Sequence, residues 1–500
     1  MYSSSNSEEE NSTGINQENE YIRNTYEERF TEFKEDGSFE NKIVEHVIET
    51  EAKVPKLGLM LVGLGGNNGS TLIAGLLAHK HNVSWESKTG IHTPSYYGSF
   101  TQCATAKVGI KRLKDRGIQD IYKPIKEMLP MVNPTDIEVT GWDISKMNVY
   151  DACKRACVLE PDLVNKLEEK LKSITPMKAA FNPDFIAANQ SDRVDNALEG
   201  TNEEVIEAIR EDIRRCKERN DKVIVLWTAN TEMFLLPELE TIEDLNAAIS
   251  ENRSLPASVL YCVAAIKEQV LYLNGSPQNT FHPGVIKLAE QEGGLLGGND
   301  FKSGQTRFKT AMSDFLIGAG LRLSSVVSYN HLGNNDGKNL SEDKCFQSKK
   351  ISKSGVLDDA INGNSILYPD GDKHIDHDVI IRYIPFVGDS KRALDEYSSK
   401  IFMGGVNTIS SYNICEDSLL AVPIMIDMIV LGELFTRMSV DGNKFGPILS
   451  YLSFFFKAPT TNHPEYVINS FNRQRETIVN LLKAASGITP DDATLLSFGY

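Results

Sequence analysis

Short apolar segments alternate with amphipathic ones from residue 56 to about residue 306. Continuous apolar runs predict buried strands at residues 57–62, 137–140, 223–226 and 271–273. Apolar residues with helical spacing predict helices at residues 205–218, 242–249 and 257–270. Strands that alternate with helices are typical of a parallel sheet covered by helices on both faces. We therefore predict an α/β fold with a Rossmann-like, doubly wound parallel sheet.

The pattern changes after about residue 307. Residues 323–328, 379–387 and 401–414 are rich in β-branched side chains and are separated by Gly, Asn and Asp, which is typical of a separate sheet of longer strands. A helical pattern returns at residues 418–438. We predict an inserted α+β, β-rich domain at 307–421, between two parts of the first domain, 21–306 and 422–500, with residues 1–20 as a disordered acidic tail.

The loop after the first predicted strand is dense in glycine and asparagine. It contains Gly63, Gly65, Gly66, Asn67, Asn68 and Gly69. Glycine at a tight strand–helix turn can adopt positive φ and lets backbone N–H groups approach a pyrophosphate, while the N-terminus of the next helix adds partial positive charge. The loop predicts a dinucleotide site. Its spacing departs from G-x-G-x-x-G, so a glycine-rich connection without a ligand is the alternative.

A dinucleotide fold places an acidic residue about 20 residues past the last glycine, where it binds ribose hydroxyls. Glu86 is near that distance but follows no convincing strand, whereas Asp143 ends an apolar segment. We predict Asp143 as the ribose ligand, with residues 76–97 and 107–131 as excursions from the fold. The alternative for Asp143 is a turn aspartate at a strand end.

The charge balance narrows the class of partner. The net charge is −17 and the pI is near 5.1, which argues against nucleic acid or an anionic membrane surface as a partner. The apolar run 419–435 contains Pro423, Asp427 and Glu433, so we expect a core helix that falls short of a membrane span. Seven scattered cysteines are typical of reduced thiols, and no N-terminal apolar stretch resembles a signal peptide. We expect a cytoplasmic protein.

Two loops, residues 297–306 and 328–337, concentrate short polar residues and could surround a phosphate or form ordinary turns.

Lys349 and Lys353 are four residues apart and would share a helix face, where repulsion and burial lower a lysine pKa. A solvated basic turn is the alternative. Lys391 and Lys457 are further candidates, because Lys457 follows an aromatic run; Asp417 could cap a helix or orient a lysine.

Two segments have a composition that suggests metal binding. Residues 372–378 hold two histidines and three aspartates, but the segment has no fixed ligand spacing. Cys153 and Cys157 are one helical turn apart, with no second pair nearby. We predict no metal site.

Six ordered motifs closely resemble the eukaryotic inositol-3-phosphate synthase family, also called myo-inositol-1-phosphate synthase, from about residue 20 to the C-terminus. They are GLGGNNG (63–69), LWTANTE (226–232), NGSPQNT (274–280), FKSGQT (301–306), SYNHLGNNDG (328–337) and CEDSLLA (415–421). The chain departs from the family at three positions. Leu64 replaces a tryptophan, Asn299 an aspartate and His282 a small apolar residue.

The resemblance implies conversion of D-glucose 6-phosphate to 1D-myo-inositol 3-phosphate with bound NAD, which returns to its oxidised form. Oxidation at C5 acidifies C6, enolisation and intramolecular aldol closure to C1 follow, and the cyclic ketone is reduced again. The resemblance also implies a homotetramer assembled by the inserted domain, which carries catalysis as well. Lysine ammonium groups would stabilise the oxyanions. In this interpretation Lys349 transfers the proton at the C5 oxygen, and Lys353, Lys391 and Lys457 serve the carbonyl, enolate and aldol oxyanions.

The implied site residues fall into three groups. The catalytic group is Lys349, Lys353, Lys391, Lys457, Asp417 and Asp300. The NAD-binding group is Gly63, Gly65, Gly66, Asn67, Asn68, Gly69, Asp143, Ile144, Ser99, Thr228, Ala229, Asn230, Thr231, Gly275 and Asp389. The substrate-binding group is Lys302, Ser303, Gly304, Gln305, Asn330, Leu332, Asn334, Asn335 and Asp336.

Two other functions remain open at this point. An NAD-dependent sugar-phosphate dehydrogenase or epimerase shares the first oxidation but forms no carbon–carbon bond, and the presence of several lysines favours the aldol chemistry. A catalytically silent NAD-binding oligomer would bind NAD yet leave glucose 6-phosphate unchanged.

Overall fold

The computed structural model describes residues 20–114, 117–463 and 467–491; the predicted tail at residues 1–20 lies almost entirely outside them. The strands in these ranges are β1 (Tyr21–Phe33), β2 (Phe39–Glu51), β3 (Leu57–Val62), β4 (Trp85–Ser87), β5 (Gly90–His92), β6 (Thr105–Arg112), β7 (Ile118–Pro124), β8 (Glu138–Asp143), β9 (Met177–Lys178), β10 (Lys222–Trp227), β11 (Leu271–Asn274), β12 (Leu296–Gly298), β13 (Arg322–Leu332), β14 (Asp376–Tyr383), β15 (Ser390–Lys400), β16 (Val406–Glu416), β17 (Met438–Val440) and β18 (Asn443–Lys444).

The α-helices in the same ranges are α1 (Asn67–Lys80), α2 (Phe100–Cys103), α3 (Val149–Ala156), α4 (Pro161–Lys166), α5 (Glu168–Lys172), α6 (Asn202–Lys217), α7 (Ile242–Ser250), α8 (Ala257–Lys267), α9 (Pro283–Glu292), α10 (Gly304–Gly318), α11 (Asn335–Asn339), α12 (Asp343–Ser354), α13 (Asp358–Asn362), α14 (Asp417–Thr436) and α15 (Phe471–Ala485).

The central sheet is parallel and doubly wound. Within the described residues its strand order is β12-β11-β10-β3-β8-β9, and each neighbouring pair is parallel. The first strand of this sheet along the chain is β3, and β8 and β9 are added on one side of it. The chain then crosses back to β10, and β11 and β12 extend the sheet on the other side. This order confirms the predicted fold class and puts a topological switch point between β3 and β10, where ligands bind in open α/β sheets.

Burial on both faces explains the apolar runs. All six residues of β3 are buried, and the last five residues of β10 are buried as well. One face packs against α1 and α14, and the other against α6 and α8. The four predicted strands and three predicted helices of this region are therefore confirmed, with ends that differ by a few residues.

The inserted region forms a second sheet of order β14-β13-β15-β16, in which β13 and β14 are parallel and the other pairs are antiparallel. Two predicted strand ends were wrong. The chain leaves the sheet at Tyr383 because Pro385 starts a 3₁₀ turn, and residues 401–405 form the turn before β16. The sequence prediction missed β15, because its many charged and hydroxyl side chains hide the alternation. It also missed the long β1–β2 hairpin, which is largely exposed.

The prediction that the apolar run 419–435 falls short of a membrane span was wrong. Among the described residues α14 is, by length and composition, apolar enough to cross a membrane, despite its internal charges. Its packing makes it a core helix, because nearly all of its residues are buried against the central sheet and neighbouring helices. Asp427 accepts hydrogen bonds from α2, and Glu433 is paired with Arg437.

Candidate active site

The cleft at the switch point is formed by direct backbone contact between two loops. Thr228 N–H, just after β10, donates to Val62 O at 2.9 Å. Gly63 has φ +92°, and a Cβ there would stand 2.9 Å from both Cα and N of Ala229. Glycine is therefore required at position 63 for its conformation and for this close approach.

The N-terminus of α1 opens onto the same cleft. Gly66 is the N-cap and has no side chain to bond the first N–H groups of the helix, while Asn67 and Asn68 line the cleft. Such N-termini bind phosphate oxygens. Within the described residues, two buried polar atoms at the facing end of β10, Trp227 Nε1 and Thr228 Oγ1, have no hydrogen-bond partner. Buried polar atoms are usually paired, so this lining fits a polar, phosphate-bearing cofactor.

Asp143 lies at the end of β8 and faces the glycine turn. Its Oδ2 accepts a hydrogen bond from Gly65 N–H at 2.8 Å, and its Oδ1 accepts one from Ser145 N–H at 3.0 Å. Burial raises the pKa of this carboxyl group, and these hydrogen bonds oppose the shift. Glu86, the competing candidate, is exposed on β4 away from the cleft. The geometry therefore favours Asp143 as the ribose ligand.

The sequence-predicted cofactor residues fall into those that line the cleft and those that lie behind its lining. Those that line the cleft are Gly63, Gly66, Asn67, Asn68, Asp143, Ile144, Thr228, Ala229, Asn230 and Gly275. Gly69 instead permits close packing of α1, because a Cβ there would be 2.5 Å from Gly63 O. Ser99 Oγ donates to Asp427 at 2.6 Å, and the Thr231 carbonyl accepts from Asn339. Asp389 accepts from Ser418 N–H at the start of α14.

A cluster of buried lysines and carboxylates adjoins the cleft. Asp300 Oδ1 accepts hydrogen bonds from Lys349 Nζ at 2.8 Å and from Lys457 Nζ at 3.1 Å. Ser352 Oγ donates to the other oxygen at 2.7 Å. Burial opposes ionisation of Asp300, but Lys349 and Lys457 outweigh it and hold its pKa well below the usual range. Asp300 is thus an ionised anchor for two lysines.

The lysines of this cluster differ in charge. Burial lowers the pKa of Lys349, yet Asp300 and Asp336 raise it above the ordinary value. Burial lowers the pKa of Lys457 to about 7, although Asp300 opposes the shift. Lys353 is buried next to Lys391, Lys457 and Lys349, and burial followed by their repulsion holds its pKa well below the ordinary value. The expected lowering of a lysine pKa on the shared face of α12 is therefore found at Lys353, whereas Lys349 keeps a raised pKa.

Lys391, on β15, and Asp417, the first residue of α14, complete the cluster, with Lys391 Nζ 3.5 Å from Asp417 Oδ1. Burial opposes ionisation of Asp417, but Lys391 and Lys457 keep its pKa below the ordinary value. Lys457 reaches the cluster from the C-terminal region. Its N–H donates to Asp300 O at 2.7 Å, so this segment lies directly against the loop that carries Asp300.

The sequence-predicted substrate residues occupy three places. Asn334, Asn335 and Asp336 line the cleft, and Ser303 and Gly304 form the start of α10. Gln305 Nε2 donates to Asp395 Oδ1, Asn330 Nδ2 donates to Ile380 O, and Leu332 is a buried residue of β13.

Lys302 does not join the lysine cluster. Its fully buried ammonium group donates to Asn469 O at 2.9 Å and Gln474 Oε1 at 3.0 Å, next to α15. These bonds direct Lys302 away from the cleft, and the side chain ties the C-terminal helix to the loop before α10.

The sequence prediction missed several residues of the site. Arg155 and Arg193 line the cleft near Asp143, and the Glu232 carboxylate accepts from Ala257 and Ser258 N–H at the start of α8. Burial raises the pKa of Glu232 to about 7. Only Glu232 had a signal in the sequence, since it ends the LWTANTE motif. Among the described residues, no group of three or more His, Cys, Asp or Glu side chains is placed to hold a metal ion.

The fold and the cleft together define a dinucleotide-binding α/β enzyme whose polar centre is a cluster of buried lysines. Comparison with known proteins specifies the family. A family model described as myo-inositol-1-phosphate synthase matches residues 57–483 and is a model of an NAD-binding domain. The chain belongs to the myo-inositol-1-phosphate synthase family, and its cofactor is NAD.

Similar proteins agree over nearly the whole chain. Inositol-3-phosphate synthase 1 of Oryza sativa is 47% identical over 91% of each chain, and inositol-3-phosphate synthase of Dictyostelium discoideum is 48% identical over 90% of each. The crystal structure of inositol-3-phosphate synthase from Caenorhabditis elegans superposes with a TM-score of 0.91 at 43% identity, covering 96% of this chain and 95% of that one.

Proposed function

We propose that this chain converts D-glucose 6-phosphate to 1D-myo-inositol 3-phosphate with bound NAD and no net redox change, the first step of inositol biosynthesis. The observation that carries the proposal is the convergence of Lys349, Lys353, Lys391 and Lys457 with two carboxylates beside a dinucleotide cleft. A dehydrogenase needs one acid or base at the carbon that it oxidises. The larger set of lysines suits a reaction with several oxyanions.

Bound NAD supplies reversible oxidation of a substrate carbinol. The protein's own residues supply the rest of the chemistry. Enolisation next to a ketone and closure of the aldol bond both place negative charge on oxygen, which fixed ammonium groups stabilise in a dry site. These groups are preorganised, because Asp300 and Asp417 hold three of the lysines by hydrogen bonds.

The charge states suggest a division of labour. Lys349 is held as a cation by Asp300, so it stabilises an oxyanion. Lys457, whose burial lowers its pKa to about 7, is suited to accept and return a proton near neutral pH. Burial and the neighbouring lysines hold the pKa of Lys353 well below its ordinary value, so this side chain is the other candidate for proton transfer. This division revises the role that the resemblance gave to Lys349 in proton transfer, because a lysine with a raised pKa is a poor base. Lys391, beside Asp417, completes the oxyanion stabilisation.

The test follows product and cofactor together. Purified enzyme, NAD and glucose 6-phosphate are incubated, and the product is fragmented in a mass spectrometer. We expect a phosphorylated cyclitol without a reducing end and no net NADH. Net NADH matching the loss of substrate would instead indicate a dehydrogenase, and NAD binding with unchanged glucose 6-phosphate would indicate a silent protein.

The second sheet supports a proposal about assembly. Tyr329, Leu394 and Tyr412 stand directly opposite one another across β13, β15 and β16, and all three side chains are exposed. Ile414 and Val406 extend this face along β16, which is the edge strand. Large exposed apolar patches mark protein interfaces. We propose that this face assembles a homotetramer in the cytoplasm. Light scattering of the purified protein checks its mass, and fractionation of cells checks its location.

A further inference from the structure

Two arginines share one end of the cofactor cleft with Asp143. Arg155, on α3, donates from Nη2 to Gly65 O at 2.6 Å, and Arg193, on a 3₁₀ turn, donates from Nη1 to Gln190 Oε1 at 3.3 Å. Both side chains line the cleft. They interact favourably with Asp143 and repel each other. Two guanidinium groups outweigh one carboxylate, so the group of three is net positive even when Asp143 is ionised.

The Asp143 carboxylate is fixed by the backbone rather than by the arginines. Both of its oxygens accept hydrogen bonds from main-chain N–H groups, those of Gly65 and Ser145. A carboxylate at this point accepts a hydrogen bond from a ribose hydroxyl group and repels a phosphate group in the same place. Guanidinium groups beside the ribose have the opposite preference, since they bind phosphate through parallel hydrogen bonds.

We propose that Asp143 is the residue that excludes NADP, and that Arg155 and Arg193 form a site able to take the 2′-phosphate once this carboxylate is removed. Discrimination between the two cofactors then depends on one side chain rather than on the shape of the cleft. The inference rests on dinucleotide binding at this cleft and not on the cyclisation of glucose 6-phosphate.

The experiment measures binding of NAD and NADP separately by titration calorimetry, without sugar phosphate. The wild-type protein should bind NAD much more tightly than NADP. In Asp143→Ser we expect NAD affinity to fall about 10-fold, the effect of one lost charge-assisted hydrogen bond. NADP affinity should rise by a similar factor, because a repulsive charge is removed while both cations remain.

The matched controls are Asp143→Ser combined with Arg193→Leu or with Arg155→Met. Each should lower the affinity for NADP more than the affinity for NAD, so that the ratio of the two affinities returns toward the wild-type value. Asp143→Asn, which keeps an acceptor for Gly65 N–H, serves if the serine variant does not fold. The proposal is overturned if neither variant gains affinity for NADP. It is also overturned if loss of an arginine lowers the affinity for NAD and for NADP equally, because the arginines would then contact a part of the cofactor that both dinucleotides share.

These outcomes are independent of the proposed reaction. If the protein binds NAD but forms no inositol phosphate, Asp143→Ser should still lower the affinity for NAD and raise that for NADP. A protein that forms inositol phosphate with no such change in the two affinities would disprove only the role of Asp143 and the arginines.

Discussion

At the scale of single residues, burial sets the charge of the active-site lysines, and the neighbouring carboxylates then separate them. Lys349 and Lys457 share one oxygen of Asp300, yet the pKa of Lys349 is raised while burial lowers that of Lys457 to about 7. The difference has two causes. Asp336 also raises the pKa of Lys349, whereas repulsion from Lys349 and Lys391 lowers that of Lys457 further. One cluster can therefore hold a permanent cation and a proton acceptor side by side.

Lys457→Ala tests this arrangement. We expect product formation to slow by roughly 10²-fold or more, as for loss of one preorganised donor, while NAD affinity stays unchanged. Lys457→Arg should not rescue turnover, because a guanidinium group does not release its proton near neutral pH. Lys350→Ala is the matched control, since this lysine lies on α12 with its side chain half exposed. Near-normal turnover in Lys457→Ala would remove Lys457 from the mechanism, and lost NAD binding would indicate a structural role.

His282 gives a pH dependence of stability. It is buried, both ring nitrogens have no partner within the described residues, and burial lowers its pKa to about 4. Since the unfolded value is about 6.5, its contribution to stability is present above pH 6.5 and is lost as the pH falls toward 4. The loss at pH 5 is about 2 kcal/mol. His282→Ala should therefore lose less thermal stability than wild type between pH 7.5 and pH 5.

The measurement for His282 is the unfolding temperature at the two pH values. His374→Ala is the control, because this histidine is largely exposed and should leave the pH dependence of stability unchanged. Equal pH dependence in wild type and His282→Ala would show that His282 finds a partner or becomes protonated without cost.

At the scale of elements, the cofactor cleft depends on how closely the loop after β3 approaches the loop after β10. The contact between Gly63 and Ala229 leaves no room for a side chain. Gly63→Ala must move one loop or strain the backbone, so we expect NAD affinity to fall at least 10-fold.

Gly75→Ala is the control for Gly63→Ala, because it lies on α1 with no atom within 4 Å of an added Cβ. Alanine in a helix is favoured over glycine by up to about 1 kcal/mol, so this variant should keep NAD binding and gain slightly in stability. Calorimetric titration with NAD measures both variants. Full NAD affinity in Gly63→Ala would mean that the turn tolerates positive φ without glycine.

At the scale of the whole molecule, the second sheet packs one face against α10 and α13 and leaves the other exposed. Tyr412→Lys places a charge on the edge strand of the exposed face, so we expect a smaller particle mass by light scattering. Tyr122→Lys, on the exposed hairpin strand β7, should leave the mass unchanged. An unchanged mass in Tyr412→Lys would move the proposed interface to another surface.

The sequence by itself determined the central sheet and the glycine turn. Buried parallel strands must be apolar along their whole length, and a strand–helix turn at a phosphate site needs glycine, so both leave local patterns. It also singled out the four lysines, through helical spacing, an aromatic run and the family resemblance. It did not reveal β15, whose polar side chains hide its alternation, or the β1–β2 hairpin, which is mostly exposed.

Only the tertiary structure decided what each charged residue does. Lys302 sits in a polar motif yet bonds the C-terminal segment, and Lys457, more than 150 residues from Asp300, completes its pair. Arg155 and Arg193 belong to no motif and still line the cleft with Asp143, the proposed ribose ligand. Charge and pKa depend on burial and on neighbours that are distant along the chain, and these are properties of packing that no local pattern records.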